Sequence, residues 1–390
     1  MTIVPFPRPS EHKKGDLDVI CFCHLRWDFV FQRPQHLMTR FGRQGRVFLI
    51  EEPVFHDDDH FQLDISDRGE GIFICVPRAN RECDPDKISS FMRAELDKLI
   101  LKYEIEDYIA WFYTPMMLPW AGRLKPQAVI YDCMDELSGF KNAPAELIDR
   151  EKDLFARADL VFTGGHSLFQ AKKGQHDDVH AFPSSIDKDH FSRAIIIKEE
   201  KGPGSDNDRA QIGFVGVIDE RFDIPLLRSM ADLKPEWDFI MVGPVVKIDE
   251  NELPRNENIK YLGQRAYGDL PAILADWDVA MMPFALNDST KYISPTKTPE
   301  YLAAGLPVVS TPITDVVRPY GELGLVSIAS TPEAFVAAIH EALESDHDAR
   351  RRAAADFLKK LSWDATFQSM LELIEGVRER REARFSASAG

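Results

Sequence analysis

Cysteine is scarce in this chain, and what there is has neither metal nor redox spacing. The five residues are Cys21, Cys23, Cys75, Cys83 and Cys133; the number is odd, and no two are separated by the two residues of a zinc knuckle or thioredoxin motif. Cys21, Cys75 and Cys133 lie in or beside apolar runs, so buried free thiols in a reducing compartment are expected. Cys21, Cys23 and His24 make a poor metal fragment, because alternation along a strand sends His24 to the face opposite the two thiols. Long apolar runs are also missing: none approaches the ~20 residues of a membrane span. The Pro-rich, polar start from Met1 to Lys14 has no apolar core of the signal-peptide kind. Positive charge is in deficit, with 47 Lys and Arg against 64 Asp and Glu and a net charge of −17. That argues against nucleic acid as the main partner, but not against a small phosphorylated ligand in a local basic pocket.

One further absence concerns glycine. A dinucleotide site needs G-x-G-x-x-G after its first strand, so that backbone can approach the pyrophosphate. Here the first strand candidate, residues 17–23, runs into His24-Leu25-Arg26-Trp27-Asp28-Phe29 without a glycine. The later Gly213-Phe214-Val215-Gly216 leads to Asp219-Glu220-Arg221 and no third glycine. NAD is therefore not expected.

What is present is a long alternation of strand and helix. At 390 residues, 44% hydrophobic and 28% charged, the chain suits two globular domains. Strands are expected at 46–50, 72–76, 108–113, 128–132 and 160–163, with helices at 34–41, 91–103, 146–157 and 167–173 between them. Strands alternating with helices imply a parallel sheet covered on both faces. Lys198 to Arg209 is polar, contains Gly and Pro and has no apolar anchor, which marks a boundary. The pattern then restarts, with strands at 212–216, 238–243, 259–263 and 278–284 and helices at 224–233, 270–277 and 332–344. A last apolar stripe, Phe367, Met370, Leu371, Ile374 and Val377, has helical spacing. Residues 1–15 are expected as a disordered tail, 16–195 as an N-terminal domain, 196–209 as a linker, 210–365 as a C-terminal domain and 366–390 as a closing helix and tail. Two consecutive α/β halves place a cleft at the C-terminal ends of both sets of strands.

Ser294 to Val309 carries the sharpest chemical pattern. Ser294 reads as an N-cap, Pro295 as the first helical residue and Gly305 with Pro307 as the stop. Lys297 then sits in the first turn, where the helix dipole disfavours a cation unless an anion lies between. Glu300 lies on the same face one turn deeper, placed to accept ribose hydroxyls. A short surface helix with a salt-bridged Lys/Glu pair has the same spacing. Gly216 and Arg221 offer a second phosphate-facing turn, or a plain left-handed turn with a solvated arginine. In the loop after the first strand, Trp27 could stack on a sugar while His24, Arg26, Asp28, Arg33 and Gln35 bond its hydroxyls; a packed aromatic loop is the alternative.

Three stretches, Cys23 to Met38, Gly213 to Asp223 and Ser294 to Ser310, together with the segment 182–191 and Ser362-Trp363, resemble glycosyltransferases of the GT-B architecture. The resemblance is to the bacterial family 4-like group that includes proteins named as teichuronic-acid transferases, and it spans residues 17–378. It implies an α/β fold of two Rossmann-like domains facing across a cleft, with a C-terminal helix crossing back to the N-terminal domain. It further implies transfer of a hexose-type sugar from a nucleotide diphosphate sugar, UDP-sugar favoured, to a glycan or lipid-linked acceptor in surface polysaccharide synthesis. By resemblance, Gly216, Arg221, Ser294, Thr296 and Lys297 hold the diphosphate, Glu300 the ribose, and Gly263, Gln264 and the following residue the base. Arg26, Trp27, Arg33 and Gln35 face the acceptor. Many retaining members carry two glutamates flanking seven residues; Glu300 matches the second, but Tyr292 stands at the first. An inverting transferase needs a base, for which Asp135, Asp132 and His24 are the candidates. No metal and no cofactor are expected, no nucleic acid, and a cytoplasmic location with membrane contact at the inner face left open. A nucleotide-sugar epimerase of the same architecture and a non-catalytic glycan-binding subunit are the rival readings.

Overall fold

The computed structural model describes residues 17–202, 209–346 and 348–388. The expected tail over 1–15 and the middle of the expected linker, 203–208, lie outside the described residues.

The N-terminal half builds one sheet of nine strands among the described residues: β1 (Asp18–Phe22), β2 (Val47–Ile50), β3 (Val54–His56), β4 (Gln62–Asp67), β5 (Ile72–Asn80), β6 (Tyr108–Phe112), β7 (Ala128–Cys133), β8 (Leu160–Thr163) and β9 (Val179–Ala181). Their order is β3-β5-β2-β1-β6-β7-β8-β9, parallel throughout, with β4 antiparallel on β5. The helices here are α1 (Arg33–Gly42), α2 (Pro85–Lys102), α3 (Leu147–Arg157) and α4 (His166–Lys172), and then α5 (Lys188–Lys201). The second sheet, again all parallel, runs in the order β12-β11-β10-β13-β14-β15. Its strands are β10 (Gln211–Val215), β11 (Asp238–Val242), β12 (Ile259–Gly263), β13 (Val279–Met282), β14 (Val308–Ser310) and β15 (Ser327–Ile328). Around it lie α6 (Ile224–Leu233), α7 (Leu270–Leu274), α8 (Lys297–Ala303), α9 (Thr314–Val316), α10 (Pro332–Glu344) and α11 (Asp348–Leu358), and α12 (Trp363–Ser388) closes the chain.

Strand alternation divides each sheet between two cores. In β1, Ile20 and Phe22 face a cluster shared with α2 and α3, while Val19 and Cys21 face one shared with α1 and α12. Cys23, just beyond β1, lies on the same side as Cys21, and both thiols are buried and free. The α12 residues Phe367, Met370, Leu371, Ile374 and Val377, with Trp363, complete that second N-terminal core. The closing helix therefore belongs by packing to the first domain.

Two expectations change. Residues 196–201 are not linker but the last turns of α5, whose N-cap Asp187 accepts from the His190 backbone N–H at 3.2 Å. Phe191 and Ala194, three apart on one face, insert into the core of the second domain. Phe182 packs with the first domain and Ile186 with the second, so the chain passes from one core to the other between them. At α8, the helix starts at Lys297 with Thr296, not Ser294, as its N-cap. The Ser294 carbonyl, which would have opened the helix, instead accepts from the Ser184 hydroxyl at 3.3 Å.

Candidate active site

The C-terminal ends of both sheets meet across a cleft. Its main chamber, about 620 Å³, is lined from one side by Trp27 to Phe31 and from the other by Val215 to Val217, Val242 to Pro244, Gln264 to Tyr267 and Lys297. A narrower space of about 160 Å³ adjoins it and brings together Gly216, Arg221, Ser294, Thr296, Lys297, Arg33 and Asp135. A third space of about 300 Å³, lined by His24, Glu52, Asp135, Phe140, Arg221 and Lys247 among others, opens toward the N-terminal sheet. A small local geometry keeps the first chamber open. Gly243, at φ +143°, lies so close to β10 that a Cβ there would meet the Gly216 carbonyl at 1.8 Å.

The residues expected to grip the diphosphate are held ready by carboxylates of their own. Lys297 Nζ donates to Glu300 Oε2 at 2.5 Å, and Arg221 makes a forked contact with Asp219, its shortest bond 2.7 Å. Glu300 is set back one turn behind Lys297, with 8% of its side chain exposed. Burial pushes its carboxyl up, and Lys297 restrains that rise. Its Oε1 accepts from no group among the described residues. Gly263, at φ +67°, makes the turn after β12, and the Gln264 amide donates across the cleft to the Phe29 carbonyl. Gln264 and Arg265 line the main chamber, whereas Gly263 serves the turn.

On the other side the expected acceptor residues are mostly occupied elsewhere. Arg33 is 4% exposed and grips the fully buried Asp132 with three bonds of 2.8–3.1 Å, and its Nη1 donates to the Phe182 carbonyl at 2.7 Å. Burial pushes the Asp132 carboxyl up and the Arg33 guanidinium opposes it. A carboxylate so enclosed is a poor proton acceptor for a substrate. Arg26 donates to Glu51 Oε2 at 2.9 Å and to the Glu52 carbonyl at 2.6 Å. Gln35 accepts from the Gln32 backbone and donates to the Trp27 carbonyl at 2.8 Å, a capping box for α1. Of the four, Trp27 keeps a lining role in the main chamber.

Asp135 differs from Asp132 in its partners and its surroundings. It faces both smaller spaces, and its carboxylate has no hydrogen-bond partner among the described residues. Burial raises it to about 6, against the pull of Arg221 and Arg33. His24 is held down to about 4 by burial and then by Lys247, so it is neutral near pH 7. Tyr292 lines none of the three spaces; it packs against the N-terminal core, with Lys291 over its ring at 5.1 Å.

The sequence reading passed over an aromatic column between the domains. His36 stacks on Trp363 with ring centroids 4.5 Å apart, Phe31 contacts both His36 and Tyr267, and Tyr267 stacks on His190 at 4.4 Å. The Tyr267 hydroxyl is shielded and unpartnered beside the main chamber, and burial with Glu300 nearby pushes it up. Lys247 and Tyr267 follow strand ends of the second sheet, and that position rule was the only signal available for them.

Among known proteins, residues 209–345 match the family model described as glycosyl transferases group 1. A Bacillus subtilis (strain 168) protein named as a teichuronic acid biosynthesis glycosyltransferase is 26% identical over 258 residues, which is 62% of this chain. The aligned part spans 61% of the length of that relative. Of solved structures, sucrose-phosphate synthase from Thermosynechococcus elongatus superposes with a TM-score of 0.69 at 12% identity, covering 92% of this chain and 98% of the other. An E. coli structure described as trehalose-6-phosphate bound with UDP-2-fluoro glucose gives 0.65 at 13% identity, again over 92% and 98%. The catalytic domain of starch synthase IV from Arabidopsis thaliana, bound to ADP and acarbose, gives 0.64 at 12% identity over 94% and 100%. Residues 209–345 thus form a glycosyl transferases group 1 domain, and the chain as a whole has the GT-B fold.

Proposed function

We propose that this chain is a glycosyltransferase that moves a hexose-type sugar from a nucleotide diphosphate sugar to a glycan or lipid-linked acceptor. The observation that carries this reading is the meeting of Lys297, Arg221 and Gly216 in one narrow space with Asp135 on its far wall. Lys297 and Arg221 would meet the diphosphate and stabilise the negative charge that gathers on the leaving nucleotide, with no metal needed for the transfer. Glu300, through its open Oε1, would accept the ribose hydroxyls, and Gln264 with Arg265 would flank the base in the main chamber. UDP is the favoured nucleotide, in keeping with the UDP-sugar ligand of the E. coli neighbour.

In an inverting transfer, the Asp135 carboxylate takes the proton of the acceptor hydroxyl as that oxygen attacks the anomeric carbon. The bond from that carbon to the diphosphate breaks with its electron pair leaving on the nucleotide. A carboxyl raised to about 6 is ionised near neutral pH yet basic enough to accept a proton. His24, neutral and on the same wall, would position the acceptor. The relative's name points to surface polysaccharide as the product class. No described helix is long and apolar enough to cross a membrane; a cytoplasmic enzyme meeting a lipid-linked acceptor at the inner membrane face fits this reading. A thermal-shift titration with UDP, GDP, ADP and their sugars tests it: a nucleoside diphosphate should raise Tm in the natural chain and not in the Lys297→Ala, Glu300→Ala double variant. No response to any nucleotide would sink the proposal.

A further inference from the structure

The rim of the N-terminal domain carries a cluster unrelated to the cleft lining. His56 ends the edge strand β3, and Asp58 and His60 follow it at alternate positions in the run His56-Asp57-Asp58-Asp59-His60. One ligand atom from each of the three lies within 4.8 Å of the others. The two imidazoles are already stacked, with centroids 4.4 Å apart and planes 25° from parallel. Both ring nitrogens of His56 are shielded from water and have no hydrogen-bond partner. A neutral imidazole has one donor and one acceptor, and leaving both unmet in a shielded position needs a reason. A metal ion would meet the acceptor nitrogen of the two.

The surrounding chain supports the same geometry. The Asn80 side chain, at the end of β5, donates to the carbonyls of Asp57 at 3.2 Å and Asp58 at 3.1 Å, which fixes the loop that presents Asp58. The Arg81 backbone N–H donates to the His56 carbonyl at 2.9 Å. Asp58 and His60 are exposed, so rotation about their χ angles can bring their ligand atoms to the ~3.3–3.5 Å spacing that Zn–N and Zn–O bonds of about 2.0–2.1 Å require. Two imidazoles and a carboxylate, from a loop with two more aspartates, favour a borderline transition metal over Mg²⁺ or Ca²⁺, which prefer all-oxygen shells.

We propose that His56, Asp58 and His60 bind a divalent transition metal of the Zn²⁺ class, with one coordination position left to water. The ion ties the loop after β3 to the edge of the sheet and takes no part in sugar transfer. It lies apart from the donor site, so its failure and that of the transferase reading are distinguishable.

The untagged full chain, stripped with chelator and dialysed, is titrated with ZnCl₂ by calorimetry and with Co²⁺ by visible absorption. One tight Zn²⁺ per chain is expected, with a rise in Tm and the absorption bands of four-coordinate Co²⁺. His56→Ala with His60→Ala should weaken Zn²⁺ by well over tenfold, and Asn80→Ala by about tenfold through loss of loop support. The milder pair Asp58→Asn and His60→Asn, both at exposed positions, repeats the test should the first variant fold poorly. In every variant the thermal shift with UDP should stay that of the natural chain. Zn²⁺ uptake that is absent in the natural chain, or unchanged in both double variants, overturns the proposal.

Discussion

Two kinds of charge pair flank the cleft, and they are built differently. Arg33 and Asp132, 99 residues apart in sequence, meet with 4% and 0% of their side chains exposed. Lys297 and Glu300 are three residues apart on one helix, and Arg221 and Asp219 two apart in one turn. The first pair joins α1 to β7 through three hydrogen bonds, and the guanidinium also donates to the Phe182 carbonyl. The other two are local, and their cations, Lys297 and Arg221, line the narrow space of the cleft. Pairs of the first kind hold the domain; on the function proposed, pairs of the second kind would release their charge to a ligand.

Four experiments break or sharpen that contrast. The largest effect should come from the carboxylate that has no pair at all. Asp135→Asn is expected to lower transfer by about 10²–10⁴-fold while leaving nucleotide affinity intact. In the natural chain the rate should climb as pH rises through about 6, where Asp135 ionises, and the variant should lose that limb. A pH–rate profile identical in both would reassign the base. Next, Arg33→Met alone should destabilise the fold by about 3–5 kcal/mol, because it strands a buried carboxylate. The double change Arg33→Met, Asp132→Leu should recover most of that loss in urea denaturation; no recovery would mean that the pair is not the unit described here. Third, Lys297→Ala should cost less stability than Arg33→Met but weaken UDP binding by about 10–100-fold, or roughly 1.4–2.7 kcal/mol. Calorimetry reads this directly, and equal losses of stability and affinity would erase the distinction between the two kinds of pair.

The smallest effect concerns the interdomain column. Burial, with Arg40, Lys297 and His190 around it, holds His36 down to about 3. In the unfolded chain it titrates near about 6.5. The unfolded state therefore takes up the proton first, and stability present above that pH is lost as pH falls toward the folded value. At about pH 5.5 the loss should be ~1.4 kcal/mol. His36→Leu should flatten this slope in denaturation curves collected at both pH values.

The architecture was legible because apolar runs alternate with helical stripes over most of the chain. β8 at Leu160–Thr163 and α6 at Ile224–Leu233 fall where periodicity puts them. The antiparallel β4 was missed although Phe61, Leu63 and Ile65 alternate with polar residues and pack against the core, because the alternation is short and lies among aspartates. α5 was not expected as a helix at all, because its charged end, Lys198 to Lys201, reads as the start of a polar linker. On the donor side, Lys297, Gly216 and Arg221 were readable from one turn each. The acceptor side was not, because Arg33, Gln35 and Asp132 find their partners only through tertiary contact. Nothing in a linear spacing distinguishes the enclosed Asp132 from the open Asp135 three positions later.

The crossing of α12 carries a consequence for how the molecule is made. Trp363, Phe367, Met370 and Ile374 share one face of the first sheet with α1, yet they are synthesised after the entire second domain. As the chain leaves the ribosome, the N-terminal domain emerges early but must wait, with part of that face uncovered, for the last helix to arrive. An apolar face exposed for the time of about two hundred further peptide bonds is a target for chaperones and for aggregation. A fragment ended before residue 363 would keep that exposure permanently, whereas moving the α12 segment to the front of the chain would let the first domain close as it is born.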